Sequence, residues 1–309
     1  MSLAGASGYD ENMSKLSESQ LKLISDAALY LEKPSLLMEI ANLAGKPLEF
    51  FTKGLDRLTA GRVEEAVGTA LRTALSVAVY TVPESSTQTG AHVGASLVEE
   101  NINNVGARVA FWHKLSVALT GSAGGLFGIA GLAVELPLTT TIMLRSIAAI
   151  AQEFGEDLSD ADIRLQCLAV FCLGGPGRSD DAMESAYLTS RMGLQTELTM
   201  ASRAAAGLTS EQLTAMIQKG TAPAIVNLIS RVAARFNVAV TEKMIAQAIP
   251  ILGAATGATI NLAFMAHFNR VARYHFGLRR LEREYGVEVI QSRYCQAAGK
   301  AFKPGVEAL

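Results

Sequence analysis

The chain of 309 residues predicts an all-α protein, a single large multi-helix bundle with two glycine-rich apolar helices at its centre. Three observations carry this. Half of the residues are apolar but only 6% are aromatic, and the excess is mostly Ala and Leu, which favour helix. β-Branched runs are too short to build a sheet, and no strand alternation of useful length occurs. Apolar residues instead recur at three- and four-residue spacing between capping residues. A chain of this length buries a substantial core as one domain, with two subdomains meeting near residue 177 as the alternative.

The elements follow in order. Residues 1–16 are small and polar, without periodicity, and read as a flexible N-terminal tail ahead of a helical domain over 17–300; residues 301–309 form a C-terminal tail. Ser17 and Gln20 have the spacing of a capping box, and "QLKLISDAALYLEK" then runs as helix until Pro34. Helical patterns continue from Ser35 to Leu58, with Pro47 as a kink, and from Arg62 to Tyr80. The stretch "TVPESSTQTGAHVG" is a loop, and Ala95 to Thr120 reads as helix. A glycine cluster leads into a long pattern through "LPLTTTIMLRSIAAIAQEF", which Gly155 is placed to end in the left-handed region. Ser159 with Asp162 restarts the chain, completing an αα-hairpin, and "CLGGPGRSDDA" breaks it again. A helix from Ala182 to Ala206 precedes a short one capped by Thr209 and Gln212. Pro223 opens the next, Asn237 is expected to end it, and Thr241 to cap its successor. The last long pattern starts near Pro250 and runs through "NLAFMAHFNRVARYHFGLRRLEREYG". "RSIAAIAQEFG", "RVAARFN" and "RVARYHFG" share a loose signature and read as similar helix ends, with no fixed repeat period.

The net charge of −2 is unevenly spread. Between Asn269 and Lys303 eight basic residues face three glutamates, so this end either meets an anionic partner or forms a solvated helix face. The three cysteines, Cys167, Cys172 and Cys295, cannot pair completely and read as reduced, buried thiols. The first twenty residues lack the basic start and apolar stretch of a secretory signal, so the expected location is cytoplasmic, with peripheral attachment at the inner face of the cell membrane. Mean hydropathy of +0.26 is high for a soluble protein, while 18% charged residues is too many for a fully embedded one.

"GSAGGLFGIAGLAVELP", residues 121–137, is the most unusual stretch. A phosphate loop would need a preceding strand and a following lysine, and neither is present. A membrane reading fits better. Leu115 to Val134 is uncharged over about the ~20 residues that span hydrocarbon, and Gly124 and Gly128 are spaced as G-x-x-x-G, with Gly125 beside them. Ala246 to Phe268 is a second such run apart from His267, and carries Gly253 and Gly257 at the same spacing. Glycine also lets buried helices of a soluble bundle approach closely, and hydropathy alone does not separate the two.

Reaction signatures are missing: there is no G-x-S-x-G and no H-E-x-x-H. With four histidines, of which His267 and His275 stand about 80° apart on a helix, no metal site and no cofactor are expected. Nothing points to nucleic acid. The polar candidates for binding are Glu135 and Arg145, each in an apolar helix where burial demands a partner, and His267, Arg270, His275, Arg279 and Arg280 on the last helix. Glu135 is expected to pair with that C-terminal helix, either as structure or as part of a ligand or proton-handling site.

"GGLFGIAGLAVELPLTTTIMLRSIAAIAQEFGEDL", "CLAVFCLGG", "IPILGAATGATINLAFM" and "VARYHFGLRRLE" together resemble the EcsC family, bacterial proteins named for a member of an ABC-transporter operon. The resemblance spans roughly residues 20–290 and implies a mostly helical fold, without an established activity from which a catalytic set carries over. It gives weight to Gly124, Gly125, Gly128, Glu135, Pro137, Arg145, Gly253, Gly257, His275, Phe276 and Arg280, and implies a membrane-proximal role. The leading expectation is a non-enzymatic protein that binds lipid or a membrane protein, in association with a transporter. The alternative is a soluble hydrolase-like enzyme using Glu135 with His275 or Arg270 in an inter-helix site, and a third is an interaction module.

Overall fold

The computed structural model describes residues 15–33, 36, 60–78, 128–174, 184–247 and 256–302. Among them lie nine helices and no strand: α1 (Glu18–Leu31), α2 (Ala60–Ala78), α3 (Gly128–Glu153), α4 (Ala161–Leu173), α5 (Ala186–Ala205), α6 (Ser210–Lys219), α7 (Pro223–Gln247), α8 (Thr256–Tyr285) and α9 (Val287–Ala298). The protein is thus all-α. The helices expected over 35–58, Leu36 apart, and over 95–120 lie outside the described residues, as do residue 177, Gly124, Gly125 and Gly253.

Local signals hold where they rest on short-range chemistry. Ser17 accepts from the Gln20 N–H while the Gln20 amide oxygen takes the Ser17 N–H at 2.9 Å, and Thr209 with Gln212 repeats this box at α6. Gly155 adopts φ +80° just beyond α3. Three expectations are corrected. The cap of α4 is Asp160 rather than Ser159, its carboxylate accepting from the Asp162 N–H at 2.9 Å and placing negative charge at a helix N-terminus. Helix α7 continues through Asn237 and Thr241, because Phe236, Ala239 and Val240 are buried along one face and their packing outweighs the αL tendency of Asn237. Of the three similar segments only the first ends a helix. In the third, Gly277 lies inside α8, where a Cβ would come 3.1 Å from Leu23 Cδ2, so the glycine admits α1. The sequence reading also passed over α9, which buries Val289, Ile290, Tyr294 and Cys295.

Helix α8 is the axis of the bundle, packing against α1, α3, α4, α7 and α9. Helix α2 lies along α3 and also meets α6 and α7, α4 pairs with α5, and α9 closes over α1. One continuous hydrophobic cluster joins all nine helices and includes Leu16, the last residue assigned to the tail. At its centre Phe171, Phe236, Phe264 and Phe268 bring together α4, α7 and α8, with ring centroids 4.6 Å apart for Phe171 and Phe236 and 5.4 Å apart for Phe264 and Phe268. All four are fully buried, and truncating one to Ala costs about 3–5 kcal/mol. Gly128 and Gly257 stand in the first turns of α3 and α8, two helices that pack together.

Helix α7, over Pro223–Met244, is long and apolar enough to cross a membrane. Its outer face, however, carries Asn227, Ser230 and Arg231, and its inner face buries Ile225, Leu228, Ile229, Val232, Phe236 and Val240. This is the pattern of a core helix with one wetted side. The second apolar run of the sequence is likewise core from Ile260 to Phe268, where Ile260, Ala263, Phe264, Met265, His267 and Phe268 are all buried.

Candidate functional site

Three polar nodes cross the bundle. The first lies where α3, α7 and α8 meet. Lys243 falls on the buried face of α7, in step with Phe236 and Val240, and its ammonium is carried into the core with 0% of the side chain exposed. Such a charge demands a counter-charge. Glu135 supplies it from α3, its Oε1 accepting from Lys243 Nζ at 2.8 Å while its side chain remains 31% exposed. The ammonium also stands 5.1 Å from the centroid of the Phe264 ring on α8, close enough for a cation–π contribution. One turn beyond Glu135, Thr139 and Thr140 are buried with no hydrogen-bond partner for either hydroxyl, whereas Thr141 donates to the Pro137 carbonyl at 2.7 Å. Asn261 on α8 has a buried Oδ1 that is also without a partner.

The second node is built on His267. Its Nε2 lies 2.7 Å from the Gly174 carbonyl, which can only accept, so the proton sits on Nε2. Nδ1 then accepts from the Tyr30 hydroxyl at 2.7 Å. Burial holds this imidazole neutral and lowers its pKa from 6.5 to about 4, with Arg270 adding to the effect and the Gly174 hydrogen bond opposing it. Arg270 itself is exposed and lies 5.1 Å from the centroid of the Tyr30 ring.

The third node surrounds His275. Nδ1 shares a hydrogen bond of 3.0 Å with the Tyr187 hydroxyl, and Nε2 is buried without a partner among the described residues. Burial drives this pKa well below 6.5, and the charges of Arg191 and Arg279 push the same way. Arg191 on α5 grips Glu282 on α8 through two hydrogen bonds of 2.7 and 2.6 Å. Beside it, the buried Glu156 accepts from Arg279 at 2.9 Å and also from Arg283. At the N-terminus of α5, Glu32 accepts from Ser185 Oγ at 2.6 Å, from the Ala186 N–H at 3.0 Å and from the Tyr294 hydroxyl at 3.0 Å.

The residues singled out from sequence therefore separate. Glu135 was expected to find its cation on the last helix, and the cation described is Lys243 of α7. Arg145, expected to need burial with a partner, lies on the exposed face of α3, because the helical step turns it outward between the buried Leu144 and Ile147. His275 follows Phe264 by eleven residues, about 16 Å along α8, so Glu135 and His275 do not share a site. Arg279 is engaged by Glu156, and Arg280 is half-buried on the same helix. Arg279 and Arg283 are thus drawn into ion pairs of the protein's own, so the basic C-terminal stretch is less available to an outside anion than its charge suggests.

Lys243, Tyr30, Tyr187, Arg191, Glu156 and Glu32 were missed by sequence reasoning. The signal for Lys243 was present, a lone cation in the apolar register of Phe236 and Val240. Among the described residues no group of three or more His, Cys, Asp or Glu is placed to hold a metal ion. The thiols are free and buried, with burial raising Cys172 to about 11 and Cys167 further.

The EcsC protein family model matches residues 20–281. No curated protein and no solved structure matches the chain.

Proposed function

From the premise that this chain belongs to the EcsC protein family, we propose that it is a non-enzymatic, membrane-proximal helical protein that binds a lipid surface or a membrane protein, at the cytoplasmic face and in association with a transporter. The observation that carries the reading is the ion pair between Glu135 and Lys243. The first apolar glycine run of the sequence ends at Val134, one residue before Glu135, and the second begins at Ala246, three residues after Lys243. A 2.8 Å contact between these two side chains brings the end of the first run and the start of the second close together. Two apolar, glycine-bearing runs tied to each other at one end suit joint engagement of a single apolar or interfacial target by the parts of them that lie outside the core stretch Ile260–Phe268.

The test is fractionation of cells with and without high salt and carbonate, together with co-sedimentation of the purified protein with vesicles of neutral or anionic lipid. The expected result is membrane recovery that carbonate releases, and sedimentation with vesicles. A protein found wholly in the soluble fraction, with no vesicle binding, overturns the reading.

A further inference from the structure

We infer that α5 is hinged at Gly193 and that its first two turns form an acid-released latch, closed on α8, α9 and α1 while His275 is neutral and swung off them when His275 takes a proton.

Three side chains at the start of α5 close the latch. Ser185, the N-cap, donates to Glu32 at the end of α1. Tyr187 meets His275 of α8 at 3.0 Å and lays its ring against Tyr294 of α9, with centroids 5.3 Å apart. Arg191 holds Glu282 of α8. Beyond this point the helix changes character. Leu194, Leu198, Ala201 and Ala205 are buried at three- and four-residue spacing, and α5 packs against α4 and α7.

Gly193 stands between the two parts, inside the helix. A glycine there costs stability relative to alanine. The usual return, close approach of a neighbour, is missing: a Cβ would meet nothing within 4 Å among the described residues. The Gly193 carbonyl accepts from Arg231 of α7 at 3.2 Å, and Arg231 also pairs with Glu197, one turn further on. The helix is thus pinned to α7 at and beyond the glycine, and is able to bend there.

Closure leaves a buried donor unserved. A guanidinium only donates, so the bond from Arg191 to the Tyr187 hydroxyl leaves the hydroxyl proton for His275 Nδ1. The imidazole proton then sits on Nε2, which is fully buried and finds no acceptor among the described residues. A second proton would add a cation beside Arg191 and Arg279, whose carboxylates, Glu282 and Glu156, are already engaged by them. Around these groups stand Asp162 and Cys167 of α4, which feel the charges of Arg279 and Glu156. Glu32 of α1 and Tyr294 of α9 are bound to each other, and Arg235 of α7 reaches Ser190. No described contact hands His275 an anion.

Swung out, His275 meets water and titrates near its ordinary value of 6.5, whereas in the closed latch it stays neutral well below that. The open form therefore binds the extra proton, and the ratio of open to closed rises by up to about tenfold for each pH unit below about 6.5.

The experiment uses the full chain, spin-labelled at pairs of added cysteines, the native thiols being buried. Thr189→Cys with Val287→Cys spans the latch from α5 to α9, and Met200→Cys with Ser230→Cys spans the anchored part from α5 to α7. Pulsed electron–electron resonance between pH 7.5 and 5 is expected to show a longer distance growing in for the first pair while the second stays constant. An unchanged first pair overturns the inference. So does an equal change in both pairs, which is unfolding as a whole. His275→Gln is expected to remove the pH dependence and His267→Gln to keep it, and full opening in His275→Gln overturns the trigger. Should His275→Gln not fold, Gly193→Ala carries the test, because the open space takes its methyl group. The longer population at pH 5 is then expected to fall severalfold, and an undiminished population overturns the hinge.

Discussion

Arg191 on α5 and Glu282 on α8 close a two-pronged ion pair, with N to O distances of 2.7 and 2.6 Å and side-chain exposures of 18% and 6%. Removing one partner leaves a nearly buried charge unmatched, so Arg191→Met or Glu282→Gln is expected to lower stability by about 3 kcal/mol. Arg191→Lys rescues little, because an ammonium cannot make two parallel bonds to one carboxylate. The double variant Arg191→Met/Glu282→Met is expected to recover much of the loss. Urea denaturation of wild type, Arg191→Met, Glu282→Met and the double variant in a double-mutant cycle measures this, and simple additivity would contradict it.

Lys243 and Glu135 form an unequal pair, and the inequality has a sign. Lys243→Met leaves a carboxylate that still reaches water, and is expected to cost less than about 1 kcal/mol. Glu135→Gln leaves a fully buried ammonium without its anion, and is expected to cost about 3 kcal/mol. Denaturation midpoints check the order, and the reverse order would show that the ammonium finds another counter-charge.

Gly174 has no room for a side chain. A Cβ there would lie 2.5 Å from Phe268 Cε1 and 3.2 Å from His267 Nε2. Gly174→Ala must displace either the aromatic cluster or the histidine that donates to this residue's own carbonyl, and is expected to destabilise by about 1–3 kcal/mol. Urea denaturation reports the loss, and a neutral Gly174→Ala would mean that Phe268 moves aside freely.

Both buried histidines give the fold a pH dependence of known sign. In the folded chain His267 takes a proton only near pH 4 and His275 also well below its ordinary range, while the unfolded chain protonates both near 6.5. Between those values the unfolded state holds more protons, so stability is complete above about pH 6.5 and falls as pH drops toward 4. Each histidine contributes at most about 1.4 kcal/mol per pH unit. Denaturation midpoints measured across this window are expected to flatten in His267→Gln, and an unchanged slope would show that the imidazole is not held neutral.

What could be read from sequence divides by distance along the chain. The caps of α1 and α6, the start of α7 at Pro223 and the turn at Gly155 depend on neighbours within a few residues, and each was legible. Asn237 misled because its local tendency to end a helix was weighed without the burial of Phe236 and Val240 on either side. Arg145 misled because apolar neighbours in sequence point in other directions around a helix. The partner of Glu135 stands 108 residues away, and no local pattern names it. A better rule was available: a lone charge in step with an apolar face, as Lys243 is, marks the buried half of an ion pair.

The Glu32 carboxylate binds Ser185, Ala186 and Tyr294, so the first described helix is held by the last. During synthesis α1 leaves the ribosome with its apolar face uncovered, and Tyr294 follows it by 262 residues. At about 5–20 residues per second that interval lasts roughly 13–50 s. Contacts of such long range also slow the search for the native state. The nascent chain must therefore keep Ile24, Ala27, Ala28 and Leu31 out of wrong associations until α9 exists, and α9 sets the moment at which folding is able to finish.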